Sequence, residues 1–169
     1  AQGARLAVEH LMSLGRSRIL HIGGEQDYLA ARIRAETYRQ LVGPEAEVMF
    51  GEWSEEWGHA AIETVFSRSG PKPDAIFCAS DEIARGAIDA LRDMNISIPG
   101  DIAVIGFDNW EVVAKQTRPP LTTIDMELKE LGHQAGLAIL ALSKGEHIEP
   151  GITRLPCSLV LRRSSGPRV

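Results

Sequence analysis

Several things are scarce in this 169-residue chain, and each scarcity closes off a class of protein. No apolar run approaches the about 18 residues that a membrane-spanning helix needs. Cysteine occurs twice, at Cys78 and Cys157, both in apolar, strand-like runs. The expectation is two buried free thiols in a reducing compartment, not a disulfide framework. Basic residues do not dominate: 18 Lys and Arg stand against 23 Asp and Glu, for a formal charge of −5, so no nucleic-acid-binding surface is indicated. The one dense positive cluster, Arg162, Arg163 and Arg168, is expected to be a solvated C-terminal tail.

Catalytic and cofactor signatures are missing as well. The first candidate strand runs into "GGEQDY" and not into a G-x-G-x-x-G fingerprint. There is no G-x-x-x-x-G-K-[ST] phosphate loop and no G-x-S-x-G elbow. Five histidines (10, 21, 59, 133 and 147) show no H-E-x-x-H spacing, and neither cysteine pairs with one as a metal site requires. Glu55, Glu56 and His59 share a helix face and are expected to be a solvated trio. The chain is therefore read as a non-enzyme, with no cofactor and no metal.

What is present is an alternation. Leu6, Val8, Leu11, Met12 and Leu14 form a helical stripe closed by Gly15. This N-terminal stretch, "AQGARLAVEHLMSLG", is an amphipathic helix and not a signal peptide, and it starts as abruptly as a piece of a longer protein would. Then come a strand (18–24), a helix (29–42), a strand (46–53), and a helix capped by Ser54 that runs to about Arg68. The glutamates Glu55 and Glu56 suit its dipole. A strand at 75–80 leads to a helix at 82–94 that Asp81 can cap. After "NISIPGD" follow a strand (102–107), a short helical piece after Asn109, an extended run (118–125) and a long helix (127–144). "GITRLP" and "CSLVLRR" are two last extended runs. There is no internal repeat.

Strand and helix alternate four to five times, and the strands are continuously apolar. That pattern predicts an α/β fold: an open parallel sheet buried on both faces by helices. In such sheets ligands bind in the crevice at the carboxyl ends of the strands. The residues that follow the strands are polar or aromatic: Glu25 to Tyr28, Glu52-Trp53, Ser80-Asp81, Asp108-Asn109-Trp110, and Thr123 to Met126. The stretch "AVIGFDNWE" (103–111) puts an acid, an amide and a tryptophan at that edge.

Six stretches, in order, carry a resemblance: "SLGRSRILHIGG", "ARIRAETYRQ", "GEWSEEWGHAA", "PDAIFCASDEIARGAIDALRDMNISIPGDIAVIGFDNWE", "RPPLTTIDMELKELG" and "LPCSLVLRR". Together they resemble the C-terminal half of the effector-binding region of the lactose/galactose-repressor (LacI/GalR) family of bacterial transcription regulators. The resemblance spans nearly the whole chain. It implies one lobe of a type I periplasmic-binding-protein-like fold, with the DNA-binding helix-turn-helix and most of the first lobe outside this sequence. It also implies a cytoplasmic protein, a small-molecule effector that is a sugar or sugar derivative, DNA contact only through the absent domain, and no membrane. A transport-type solute-binding protein shares the fold and is the rival reading; an α/β enzyme is a distant third.

The resemblance assigns residues. Arg34 in "ARIRAETY" matches an effector-binding arginine, whose rigid donor fork suits vicinal hydroxyls or a carboxylate. Glu36-Thr37 stands where many members have a glycine, and a plain helix-surface arginine is the competing reading. Trp53 matches the aromatic of the family's "GDW/GDF" and could instead be a core tryptophan. Trp57, four residues on, packs on the helix side. Asp108 matches the aspartate of "GFDD/GYDN", able to accept from two hydroxyls. Its D-x-x-E spacing to Glu111 equally suits a capping box. Ser80 stands where the family often has Asn, and Met126 where some members have a contacting Gln. Tyr28 and Ala30 fall on a loop that touches the effector. Trp110 replaces a residue that is often small or aliphatic, and its role stays open.

Members of the family pair as dimers through surfaces that here are about 82–94 and 111–119. Ile83, Ala84, Ala87, Ile88 and Leu91 offer more apolar positions than one core stripe needs, so a homodimer is expected, with a helix buried on both sides as the alternative. Residues 127–150 are expected to cross to the first lobe. With that lobe absent, the helix at 127–144 is expected to fold back on its own domain, to exchange with a second copy or to become mobile, with exchange or packing on a neighbouring chain the favoured outcome.

Overall fold

Every residue of three strands is buried, which only a sheet covered on both faces allows. The computed structural model describes residues 1–166. In chain order the elements are α1 (Gln2–Ser13), β1 (Ile19–Gly23), α2 (Leu29–Val42), β2 (Val48–Phe50), α3 (Glu55–Ser67), β3 (Ala75–Cys78), α4 (Asp81–Asp93), β4 (Ala103–Phe107), α5 (Glu111–Ala114), β5 (Thr122–Asp125), α6 (Leu128–Ser143) and β6 (Ser158–Val160). The sheet order is β2-β1-β3-β4-β5-β6. Neighbours pair in parallel except β5 and β6, which are antiparallel.

Alternate side chains of the strands feed two cores. On one face Leu20, Ile22, Ile76 and Val104 pack with Ile62 of α3 and Ile83, Ile88 and Leu91 of α4. On the other, Ile19, Phe77, Ile105 and Phe107 pack with Ala4, Ala7, Val8 and Leu11 of α1 and Tyr38 of α2. The expected α/β sheet with helices on both faces is what forms. His21, inside the second layer, stacks on Phe77 at 4.6 Å, and its Nδ1 lies 2.8 Å from the Phe77 carbonyl. Burial pulls its pKa down to about 4, so the ring stays neutral.

Helices α3 and α4 touch through glycine. A Cβ on Gly58 would strike the Ile83 carbonyl, and one on Gly86 would strike the Glu55 backbone. This close approach uses up the apolar surplus of α4. Ile83, Ala84, Ala87, Ile88 and Leu91 are all fully buried within the chain, so the pattern offers no second contact face and gives no argument for a dimer.

Several expectations shift. The second strand covers 48–50 and not 46–53; as an edge strand it has one neighbour, and the chain must leave it for Trp53 to fold back over Gly24. Residues 151–156 form no strand. Cys78 is buried as expected, whereas Cys157 is only half-buried. Arg162 is no solvated tail. Its guanidinium donates to the Leu121 carbonyl at 2.8 Å and to Asn109 Oδ1 at 2.7 Å. Arg163 is exposed, and Arg168 lies outside the described residues.

Helix α6 stands apart: none of its residues is buried. Leu128, Leu131, Leu137, Ile139, Leu140 and Leu142 are each about half exposed or more. No helix among the described residues is long and apolar enough to cross a membrane.

Candidate functional site

The carboxyl edge of the sheet is organised around the turn that ends β4. Phe107 is the last strand residue, and the chain then passes through two non-glycine residues in the left-handed region, Asp108 (φ 111°) and Asn109 (φ 51°). Such residues cost on the order of 1–3 kcal/mol each and persist only where neighbours over-determine them. Here the neighbours do. The Asp108 amide donates to the Ile124 carbonyl at 2.8 Å. The Asn109 side chain donates to Asp125 Oδ2 at 2.7 Å while accepting from Arg162. The Trp110 amide donates to Asp81 Oδ2 at 2.7 Å, and the other Asp81 oxygen accepts from the Thr123 hydroxyl.

Asp81 thus ties three strand ends together and is not the cap of α4. Ser80 is: its hydroxyl accepts from the Ile83 amide at 3.2 Å. Ser80 lies at the right edge, but it is buried and its hydroxyl oxygen is engaged in the cap. The capping-box reading of Asp108 also fails. Helix α5 has Trp110 at its N-cap and no side-chain cap bond. Ser54 caps α3 as expected, accepting from the Trp57 amide at 3.1 Å.

Freed from capping, Asp108 faces Arg34. The two pair at 3.8 Å between Oδ1 and Nη2. Arg34 is no surface arginine, being only 9% exposed. Its Nη1 donates to the Ala79 carbonyl at 2.9 Å, its Nη2 lies 3.9 Å from Met126 Sδ, and its flat face lies 3.8 Å from the Phe107 ring centroid. The Trp53 ring is 5.7 Å from the same guanidinium. Trp53 rests on Gly24, where any Cβ would collide with the indole, which is why a glycine follows β1. Tyr28, exposed, meets Trp53 edge-on at 6.0 Å. Trp57 turns away from the edge, packs on the α3–α4 core and donates its indole N–H to the Gly23 carbonyl at 2.8 Å.

Five of the six residues singled out in the sequence therefore form one line along the edge: Tyr28, Trp53, Arg34, Asp108 and Met126. Beside it opens a cavity of about 560 Å³, walled by Asp81, Asp108, Trp110, Asp125, Met126 and Lys129 among others. Burial raises the Asp108 carboxyl to about 6, with Arg34 opposing and Glu82 adding to the rise. Burial likewise raises Asp81 to about 7, against the hydrogen bonds from Thr123 and Trp110. Burial also pulls the Arg34 guanidinium below its ordinary value, with Asp108 acting the other way. A loose ion pair half-shielded from water, flanked by aromatic faces, suits a polar ring compound: its hydroxyls find charge-assisted partners and its C–H face finds a π surface.

Sequence reasoning missed Phe107, Asp81 as the tie, and Arg162. The signals were available only weakly: an aromatic at a strand end, an acid after Ser80, and a basic residue following an apolar run.

With this geometry established, comparison with known proteins defines the class. A family model described as a periplasmic binding protein-like domain matches residues 8–165, and the chain belongs to that family. Its relatives are LacI-type transcriptional regulators. The chain is 31% identical over 166 residues to the HTH-type transcriptional repressor CytR of Escherichia coli K12, covering 94% of this chain and 48% of the relative. It is 33% identical over 168 residues to the lactose operon repressor of the same organism, covering 96% and 46%. Among solved structures, a dimeric Lac repressor with a C-terminal deletion superposes with a TM-score of 0.86 at 31% identity, over 96% of this chain and 60% of that one. The complex of the transcriptional regulator CelR with cellobiose gives 0.83 at 31%, over 96% and 51%. The chain spans about half the length of the curated relatives it matches. These named relatives are regulators, neither enzymes nor transport proteins.

Proposed function

We propose that the edge formed by Tyr28, Trp53, Arg34, Asp108 and Met126 is one wall of a small-molecule effector site. The effector is a sugar or sugar derivative, and the chain is the C-terminal lobe of the sensing region of a cytoplasmic LacI-type transcriptional regulator. The observation that carries this reading is the Arg34–Asp108 pair at the strand carboxyl edge, with Asp108 and Met126 on the wall of an adjoining cavity of ligand size. The cellobiose complex of a relative with the same fold supports the ligand class.

Residues 127–150 form the segment that crosses to a first lobe, and the bare apolar face of α6 supports this assignment. An effector held between two lobes stabilises one degree of closure over another. That differential binding shifts the population of states and so the spacing of DNA-binding heads in a homodimer. No catalytic step is involved.

Calorimetric titration of the full-length protein with mono- and disaccharides tests the reading. A saccharide should bind, and Asp108→Ala should weaken it by more than roughly 1.5 kcal/mol, the scale of a hydrogen bond to a charged group. If no saccharide binds, or if Asp108→Ala leaves the affinity unchanged, the site is misassigned.

A further inference from the structure

Three tryptophans occur in the chain, and two of them have work to do in the core: Trp53 and Trp57 are partly buried and pack against the α3–α4 face. Trp110 does not. Its side is 52% exposed, and among the described residues no other ring or cation lies on its face. Yet its backbone is among the most tightly held on this edge. The Asp81 carboxylate accepts from its amide, and the two residues before it are kept in left-handed conformations by bonds to Asp125 and the Ile124 carbonyl and from Arg162. A large apolar ring is thus presented on a fixed support, on the wall of the cavity that also holds Asp108 and Met126.

The same wall has a pronounced charge. Asp81, Glu82, Asp108, Glu111, Asp125 and Glu127 line the cavity together with Lys129; Arg34 pairs with Asp108 and Lys115 with Glu111, and the acids still outnumber these three cations. Like charges gathered on one wall repel, and the more so where water is partly excluded. Hydroxyl and ammonium groups are the partners that carboxylates accept.

Building on the effector-site reading above, we propose that Trp110 is a ligand-stacking residue of this site and that the ring it covers belongs to an uncharged or cationic compound, a glycoside or a nucleoside, and not to a phosphate ester. Trp110 selects for a flat or chair-shaped ring with an apolar face. The carboxylates around it take up the ring's hydroxyl or amino groups and reject an anionic substituent. Asp108 and Arg34 hold one side of the ligand and Trp110 closes over its face.

The test is calorimetry at pH 7.5 on the full-length protein, with cellobiose, glucose, glucose 6-phosphate and cytidine as probes. Wild type is compared with Trp110→Ala and Trp110→Phe. Because the side chain is exposed, both variants should melt where wild type does, and melting curves check this. At least one uncharged probe should bind. Trp110→Ala should weaken it tenfold or more, Trp110→Phe should keep it within threefold, and glucose 6-phosphate should bind at least tenfold more weakly than glucose or not at all. Binding that is retained within twofold in Trp110→Ala overturns the stacking role while leaving the effector site intact. Glucose 6-phosphate outbinding glucose overturns the charge selection. If none of the four binds wild type, the effector reading itself fails and this proposal falls with it.

Discussion

The guanidinium of Arg34 lies 3.8 Å from the centroid of the Phe107 ring, so the cation that pairs with Asp108 is carried on an aromatic shelf. A cation–π contact of this kind contributes about 0.5–2 kcal/mol, towards the upper end when desolvated. Lysine has neither the flat face nor the fork. Arg34→Lys should therefore lower unfolding stability by about 1–2 kcal/mol in urea, on the same cation–π scale. Arg34→Met, which keeps bulk but not charge, should move the Asp108 titration above its present value of about 6, since the arginine is what opposes the effect of burial. A carboxyl titration by NMR reads this directly, and an unmoved Asp108 would show that the pair is not electrostatically coupled.

Asp81 links stability to pH. Its carboxyl is raised from 3.8 to about 7 in the folded protein, so between those values the folded state holds a proton that the unfolded chain has released. Stability from this group is complete below about pH 4 and is lost as pH climbs through about 7. Asp108 acts in the same direction up to about 6, and His21, lowered to about 4, in the opposite one. Subtracting the Asp81→Asn curve from wild type removes the His21 contribution and leaves that of Asp81 together with its coupling to Asp108. The difference should decline from pH 4 to pH 7; a flat difference would mean Asp81 is ionised throughout.

Crowding between α3 and α4 gives a third expectation. Gly86→Ala drives a methyl into the Glu55 backbone and should cost about 1–3 kcal/mol or more, the usual range for overpacking. Gly132→Ala in α6, where nothing lies within 4 Å of the new Cβ, should instead raise helicity by up to about 1 kcal/mol of intrinsic propensity. Thermal melts and far-ultraviolet circular dichroism distinguish the two.

Ser80 offers a check on its assigned role. As the cap of α4, Ser80→Ala should cost about 1 kcal/mol of stability and Ser80→Gly only a few tenths. A change in saccharide affinity larger than in stability would return Ser80 to the binding surface.

The fold was legible in the sequence because its physics is repetitive. Continuous apolar runs such as Ile19–Gly23 and Ala103–Phe107 mark buried parallel strands, and the helices between them announce themselves by period and cap. Ser54 is a case where cap and structure agree. The candidate site was legible by position, since the strand ends gather Trp53, Asp108 and Met126. Division of labour among neighbouring polar residues was not. Ser80 and Asp81 are adjacent, each able to cap; only the tertiary placement of Thr123 and the Trp110 amide draws Asp81 away and leaves the cap to Ser80. Asp108 and Glu111 have capping-box spacing, and only the left-handed turn at Asp108 and Asn109 shows that the spacing is not used. The apolar count on α4 was misleading because Gly58 and Gly86 let two helices approach closely enough to bury both of its sides.

Asp125 and Ser158 are partners on adjacent, antiparallel strands. Topologically, then, residues 126–157 are the loop of a β-hairpin, and α6 is a helix carried inside that loop. Because the loop leaves and rejoins the sheet at one rung, its length enters the stability of β5 and β6 only through closure entropy, which grows slowly with size. Replacing residues 126–157 with a two-residue Asn-Gly turn should close the hairpin directly and leave the six-stranded sheet standing. It would remove the exposed leucines and, with Met126, one end of the candidate edge. The junction at the end of β5 is in this sense a splice point: the helical excursion leaves and rejoins the sheet through the paired residues Asp125 and Ser158.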